Sequence, residues 1–272
     1  MNRSRIAGLA LGAFVLSVCS LAFPVCLAAF QSPDARLIMR QVYDQIASHT
    51  VQMRASFTIY DRQGHSRKEE FLYRRQNSDT GRKILAVFTA PTEVSGVALL
   101  SVQQHDLPAK QYIYTPATER VRSVETQERS NRFLGTDFSY EEIVDRDLDD
   151  FSYRLIDDQE AMDGRKAYKI EARPIDVSRS QYAYIYIWVA KEMPAIVYAQ
   201  MYSAAGVVVR TLHCTDLRRV DGVWGARRTE VSTPADETRT VLTIQEVKLN
   251  IPLDEAAFSP QSLAASVAAS HR

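Results

Sequence analysis

The stretch from Gln181 to Val231 constrains the fold more than any other part of the chain. It reads as four strand-like segments separated by turns, and the first segment, Tyr182 to Val189, is apolar throughout. Successive side chains of a strand point to opposite faces, so aromatic rings at even positions face one side and aliphatic groups at odd positions face the other. An antiparallel sheet with one wetted face should be polar on that face. Because neither face is polar here, the second face must contact a helix, another sheet or an apolar ligand.

The next segment, Ala195 to Tyr202, continues the alternation. It predicts one face carrying Ile196, Tyr198 and Tyr202 and an opposite face carrying Val197 and Met201. Comparable period-two segments begin at Thr50 and recur to Lys248, and most are joined by short turns. We count about eleven strands in a meander, and a twisted sheet of that width curls. The predicted fold is therefore mainly β with covering helices (α+β), an incomplete antiparallel β-barrel of about eleven strands.

Two helical segments interrupt the predicted sheet. Ser32-Pro33-Asp34 is typical of a helix start, and the next residues predict an amphipathic helix that ends near His49. Its apolar stripe comprises Leu37, Ile38, Gln41, Val42, Gln45 and Ile46. A second helix is predicted from Ser139, because Glu142 follows it at the spacing of a capping box.

The connecting segment that leads into this second helix, residues 131–144, is unusually apolar; we call it the cover segment. It carries Phe133, Leu134, Phe138 and Tyr140. Burial of each large apolar side chain contributes about 1.5–3 kcal/mol. The segment should therefore fold back over the sheet as a lid or plug. Gly135 would be a hinge in the lid interpretation and a plain turn glycine in the alternative one.

The N-terminus predicts export. Arg3 and Arg5 precede an apolar run, and small residues end near Ala28, so residues 1–28 are predicted to be a cleaved signal peptide and 29–272 a single domain. The chain has 33 basic and 33 acidic residues, which gives no excess positive charge for binding nucleic acid. Once the signal peptide is removed, Cys214 is the single cysteine, and its place in a strand favours a small buried residue over a reactive thiol.

No recognisable catalytic motif occurs in the sequence. HExxH, GxSxG, P-loop and GxGxxG patterns are absent, and the histidines are scattered. The aspartates between Asp145 and Asp158 lack the ligand spacing of a calcium loop and are interpreted as a solvated acidic turn. We therefore expect a protein that is not an enzyme and has no catalytic residues, metal or cofactor.

Three segments resemble one known family. Tyr112 to Arg122 is similar to its tyrosine-rich, arginine-rich strand pair, Gly135 to Glu142 resembles its GTDFSYED signature, and Pro194 to Trp224 is similar to its hairpins ending in DGxW. The family is that of the outer-membrane lipoprotein-sorting proteins, relatives of the LolA and LolB carriers. The resemblance implies a periplasmic half-barrel closed by helices that holds lipid or acyl chains, with an inner-membrane transporter or outer-membrane acceptor as partner and transient membrane contact.

The leading hypothesis is a periplasmic lipid or lipoprotein carrier that binds acyl chains in a hydrophobic barrel cavity and moves them between the inner and outer membranes. The alternatives are an interaction module that docks a transporter or assembly partner without cargo, a lipid hydrolase, and an interior filled by its own side chains. Strand parity leaves open which face of Tyr182 to Val189 lines the cavity. The candidate ligand-binding residues are Phe57, Ile59, Phe71, Tyr73, Phe88, Leu99, Tyr112, Tyr114, Phe133, Leu134, Phe138, Tyr140, Tyr184, Tyr186, Trp188 and Tyr198.

Overall fold

The alternating segments of the sequence fold into one sheet. The structure is a computed structural model and describes residues 33–45, 50–78, 81–104, 107–143 and 147–270, so the predicted signal peptide lies outside the described residues. The helices and strands are α1 Ala35–Gln45, β1 Thr50–Tyr60, β2 Ser66–Ser78, β3 Gly81–Ala90, β4 Ala98–Gln104, β5 Lys110–Thr115, β6 Arg120–Val124, β7 Phe151–Met162, β8 Arg165–Pro174, β9 Tyr184–Ala190, β10 Ile196–Tyr202, β11 Val208–Val220, β12 Val223–Thr233, β13 Thr238–Leu249 and α2 Leu263–Ser270.

The strands form two meanders joined along one seam. Their order in the sheet is β6-β5-β4-β3-β2-β1-β13-β12-β11-β10-β9-β8-β7, and each pairing is antiparallel. Within this sheet, the pairing of β1 with β13 is the one that joins strands distant in sequence. The edges β6 and β7 are not paired with each other, so the sheet is curled but not closed. Gln111 of β5 and Phe151 of β7 nevertheless line the same small cleft.

The predicted count of about eleven strands is wrong, since the described sheet has thirteen. The short edge strand β6 gives only a weak sequence signal, because four of its five side chains are exposed and its backbone pairing with β5 holds it in place. The hairpin of β11 and β12, which belongs to the four strand-like segments predicted from Gln181 to Val231, turns at Asp221 and Gly222, which both have positive φ.

Helix α1 packs on the face of the sheet that we call the inner face. Its buried residues Ala35, Ile38, Met39 and Val42 belong to the same hydrophobic cluster as the aliphatic side chains of β9. Leu37, which was assigned to the apolar stripe, is 53% exposed, and Met39 occupies the buried position instead. The predicted end near His49 falls on residues 46–49, outside the described range.

The C-terminal segment covers the opposite, outer face and was not predicted. Two residues of this segment, Phe258 before α2 and Leu263 at its start, pack on the sheet. Their partners are Leu85, Leu100 and Tyr114. The two α-helices therefore cover opposite faces of the sheet, α1 the inner face and α2 the outer face. Neither of these two described α-helices is long and apolar enough to cross a bilayer.

The helix predicted from Ser139 is a single turn in the described residues. One half of the predicted capping box forms, because the Ser139 amide donates to Glu142 Oε2 at 2.9 Å. The Glu142 amide donates to the backbone carbonyl of Ser139 at 3.0 Å, and the Ser139 hydroxyl donates to Glu142 Oε2 at 3.0 Å. Residues 140–142 are classed as turn rather than helix, and 144–146 lie outside the described part. The predicted capping box is therefore only half formed, and the helix itself does not extend through the described residues.

Candidate functional site

A cavity of about 460 Å³, the main cavity, lies on the inner face between α1, the cover segment and strands β9 to β12. Its volume lies within the range of about 300–1,000 Å³ that is usual for ligand sites. Most of its wall is aliphatic, with arginine and acidic side chains at intervals. The lining residues are Val42, Tyr43, Asp44, Arg75, Asn77, Arg82, Phe138, Glu142, Asp147, Leu148, Ile185, Ile187, Ile196, Ala199, Met201, Leu212 and Val231.

Two further cavities adjoin the main cavity along the inner face. The aromatic cavity, of about 200 Å³, lies beneath the cover segment and shares Phe138 and Glu142 with the main cavity. The basic pocket, of about 240 Å³, lies at the far ends of β1 and β2 and shares Met53 and Tyr73 with the aromatic cavity. The inner face therefore carries three adjoining, largely apolar cavities that its own side chains do not fill.

The structure brings most of the predicted ligand-binding residues together on the inner face. They surround the cover segment, whose rings pack into the sheet: Phe57 lies 5.3 Å from Phe138, and Phe88 lies 5.7 Å from Phe133 between ring centroids. The predicted residues in this cluster are Phe57, Ile59, Phe71, Tyr73, Phe88, Leu99, Phe133, Leu134, Phe138 and Tyr140.

The remaining predicted residues lie on the outer face and line none of the three cavities. Tyr112 and Tyr114 pack beneath the C-terminal segment. Tyr184, Tyr186, Trp188 and Tyr198 form an outer aromatic cluster, with Tyr184 stacked on Tyr202 at 4.6 Å. The odd-numbered side chains of β9, Ile185 and Ile187, line the main cavity instead, because α1 packs on that face.

A β-bulge corrects the predicted face of Ile196. The register changes between Ile196, which pairs with Val189, and Tyr198, which pairs with Trp188. The extra residue, Val197, shifts the alternation by one position. Ile196 therefore lines the main cavity, while Val197 packs with the outer aromatic cluster.

A buried carboxylate that the sequence analysis missed fastens the cover segment to β13 and to the turn before it. Asp137 is 0% exposed, and its oxygens accept hydrogen bonds from Thr233 at 2.7 Å, Thr238 at 2.6 Å and Thr240 at 2.8 Å. Its backbone amide donates to the hydroxyl of Thr240 at 2.8 Å, and Arg132 lies 3.3 Å from the carboxylate. A buried charge is tolerated when it is hydrogen-bonded in this way.

A second polar cluster fastens the cover segment to β11. Arg210 forms a buried ion pair with Glu142, and the Tyr182 hydroxyl donates to Glu142 at 2.6 Å. Burial lowers the pKa of Arg210, but the neighbouring Glu142 and Tyr182 raise it to above its ordinary value. The guanidinium therefore stays charged and pairs with the Glu142 side chain at the wall of the main cavity.

Gly135 occupies a backbone position that suits glycine, with φ of 73°. A Cβ atom there would lie 2.9 Å from Nη2 of Arg67. The same Nη2 donates to the carbonyl of Leu134 at 2.9 Å, which adds a third contact between the cover segment and the sheet. Whether Gly135 acts as a hinge stays a prediction.

Glu69 lies buried beneath this contact, and we expect its buried carboxylate to lower the free energy of unfolding. Burial raises the pKa of Glu69, which Arg67 partly offsets, and Oε2 has no hydrogen-bond partner in the described part of the chain. The Glu69 carboxyl group therefore binds its proton more tightly in the folded protein than in the unfolded chain. Because of this difference, the free energy of unfolding falls as pH rises above 4.5, the ordinary pKa of the group. We expect Glu69→Gln to raise the free energy of unfolding at pH 7 by about 1 kcal/mol, or Tm by about 2–4 °C.

Thermal denaturation at pH 7 and at a pH below 4.5 checks this expectation, since the gain should vanish at the lower pH. The matched control is Glu70→Gln, because Glu70 is 47% exposed and pairs with Lys68 on the surface. A lower Tm for Glu69→Gln at pH 7 would mean instead that the pair with Arg67 is a net stabiliser.

The described residues supply little of what a metal or thiol site requires. No group of three or more His, Cys, Asp or Glu in the described ranges is placed to hold a metal ion. Burial raises the pKa of the Cys214 thiol to about 11, which keeps it protonated at neutral pH. This agrees with the interpretation of Cys214 as an unreactive thiol, although the residue is half-buried rather than buried.

Comparison with solved structures identifies the fold. A domain from Vibrio parahaemolyticus, named for outer-membrane lipoprotein sorting, is 20% identical and superposes with a TM-score of 0.79 over 85% of this chain and 98% of its own. A DUF1329 family protein from Desulfovibrio piger is 22% identical, with a TM-score of 0.80 over 84% of this chain and 97% of its own. A LolA superfamily protein from Nitrosomonas europaea is 18% identical, with a TM-score of 0.66 over 84% and 98%.

Sequence comparison identifies the family. No curated protein sequence matches the chain. A family model described as an uncharacterized protein matches residues 80–265, which include the cover segment and every strand from β3 to β13. The chain therefore belongs to that family, and its fold is the LolA-like fold of the lipoprotein-sorting proteins.

Proposed function

We propose that the protein is a non-enzymatic periplasmic carrier that binds the acyl chain of a lipid or lipoprotein in the main cavity and moves it between membranes. The observation that carries the proposal is a covered, largely aliphatic cavity of about 460 Å³ on the inner face. The names of the similar proteins from Vibrio parahaemolyticus and Nitrosomonas europaea support a carrier role. An inner-membrane transporter and an outer-membrane acceptor are the partners that such a role requires.

Burial of methylene groups would provide the free energy of binding. Each buried methylene contributes about 0.8 kcal/mol, so a myristoyl-length chain could contribute roughly 10 kcal/mol before the cost of ordering the chain is subtracted. Ile185, Ile187 and Met201 would supply the contact surface, because they line the main cavity. The two polar clusters at Asp137 and Glu142 would hold the cover segment over the bound chain.

Organic extraction of the mature protein, purified from its native host, tests the proposal. We expect mass spectrometry to find about one co-purified lipid per protein, and we expect the delipidated protein to bind a fluorescent fatty acid. Hydrolysis of that lipid during incubation would point to an enzyme instead. If the extract contains no lipid and the probe does not bind, an interaction module that docks a membrane partner without cargo is the better explanation.

A further inference from the structure

The basic pocket differs from the rest of the inner face in its charge. It is lined by apolar side chains and three arginines, Arg75, Arg218 and Arg227, and no aspartate or glutamate is among its lining residues. The apolar part of the wall consists of Val51, Met53, Tyr73, Val220, Val223, Trp224, Gly225, Ala226, Ile244, Val247 and Leu249. Since the whole chain has equal numbers of basic and acidic residues, the positive charge of this lining does not follow from the overall composition.

The three arginines differ in how they are held. Arg75 is 4% exposed and also lines the main cavity. Arg227 donates to the backbone carbonyls of Ile244 at 3.3 Å and Gln245 at 3.2 Å, and its partners in the described part of the chain include no acidic side chain. Arg218 pairs with Asp216 at 2.7 Å, a contact in which both side chains are about half or more exposed and therefore weak.

An apolar wall strengthens the field of these guanidinium groups. Charges of one sign in a cleft with low-dielectric walls raise the local concentration of the opposite charge. Guanidinium groups also match carboxylate and phosphate oxygens geometrically, through paired hydrogen bonds. The pocket therefore favours an anion, whereas its apolar residues favour a hydrocarbon attached to that anion.

The position of Arg75 connects this pocket with the acyl-chain site. Because Arg75 lines both the basic pocket and the main cavity, a chain that lies along Ile187 and Leu212 can end at the arginines. The linings of the other two cavities include the acidic residues Asp44, Asp147 and Glu142. Of the three cavities, the basic pocket is the one whose charged lining residues are all positive.

We propose that the cargo is an amphiphile with an anionic headgroup, a carboxylate or a phosphate, which Arg75, Arg218 and Arg227 bind in the basic pocket while the chain occupies the main cavity. This inference rests on the proposed carrier function and adds the charge of the cargo and the end of the cavity at which its headgroup lies.

The test compares two probes with the same fluorescent acyl chain, one a free carboxylate and the other its methyl ester. We expect the delipidated wild-type protein to bind the carboxylate at least about tenfold more tightly than the ester. The variant R218Q/R227Q should lose this preference while its ester affinity stays the same, since Gln retains polarity without charge. R219Q/R228Q is the matched control, because it removes the same charge from exposed residues that do not line the pocket, and it should keep the preference.

Circular dichroism and Tm confirm that each variant is folded. Equal affinity of the wild type for both probes, or equal loss of both in R218Q/R227Q, would overturn the headgroup assignment while leaving the carrier function intact. Failure of both probes to bind the wild type would instead remove the carrier function. A dodecyl phosphate competitor should displace the carboxylate probe far better than inorganic phosphate does; equal displacement would identify a site for free anions and overturn the proposal.

Discussion

Replacing Ala199 with tryptophan is expected to weaken acyl-chain binding by more than tenfold without unfolding the protein. Ala199 pairs with Ile187 on β9 and lines the main cavity, where its methyl group is 4% exposed. An indole at this position would extend into space that the chain needs. Displacing about three methylenes would lose about 2.4 kcal/mol, which is roughly 50-fold in Kd. Because the added group enters a cavity rather than a filled core, Tm should change by only about 3 °C or less.

Titration with a fluorescent fatty acid measures this effect. Gln200→Trp is the matched control, since Gln200 is the next residue of β10 and its side chain bonds to Tyr202 on the outer face. We expect the control to bind the probe as the wild type does. Undiminished binding by a folded Ala199→Trp variant would place the acyl chain outside the main cavity.

Removal of the Asp137 carboxylate should have the largest effect on stability. The Asp137→Ala variant would leave the hydroxyls of Thr233, Thr238 and Thr240 without their acceptor and Arg132 without its buried partner. Breaking a buried, hydrogen-bonded charge pair costs about 3–5 kcal/mol. With a Tm change of about 2–4 °C per kcal/mol for a chain of this size, we expect Tm to fall by roughly 10 °C.

Hydrogen exchange locates that loss of stability. Amides of residues 131–143 should exchange faster in Asp137→Ala. Those of β9 and β10 should be less affected, because the hydrogen bonds of Asp137 hold the cover segment and do not involve these two strands. Asp236→Ala removes an exposed partner of the same Arg132, so it should change the stability by less than about 1 kcal/mol. If exchange accelerated uniformly, Asp137 would stabilise the whole sheet rather than hold the cover segment in place.

The sequence predicted the strands better than it predicted which face each one presents. Alternation located β1, β2 and most later strands, because each buries one face. On β9 both faces are apolar, so alternation cannot decide between Ile187 and Trp188, and the decision comes from the packing of α1. The bulge at Val197 inverts the alternation, and no residue in that segment signals it.

The cover segment likewise has features that the sequence predicted and others that it could not predict. Its apolar residues predicted that it packs on the sheet, because exposing Phe133 and Phe138 to water would cost free energy. Its polar fastenings could not be predicted, because Asp137 and Thr240 are 103 residues apart and Glu142 and Arg210 are 68 apart. Helix α2 was missed because its residues are mostly alanine and serine, which give little amphipathic signal.

The seam between β1 and β13 has a consequence for how the molecule assembles. Hairpins within each meander close short loops and can form early, whereas the seam must bring together the first and last strands of the sheet. The inner wall is therefore completed only when nearly the entire polypeptide has been delivered. An incomplete chain would remain open along this seam, with its apolar inner face exposed, until β13 is in place.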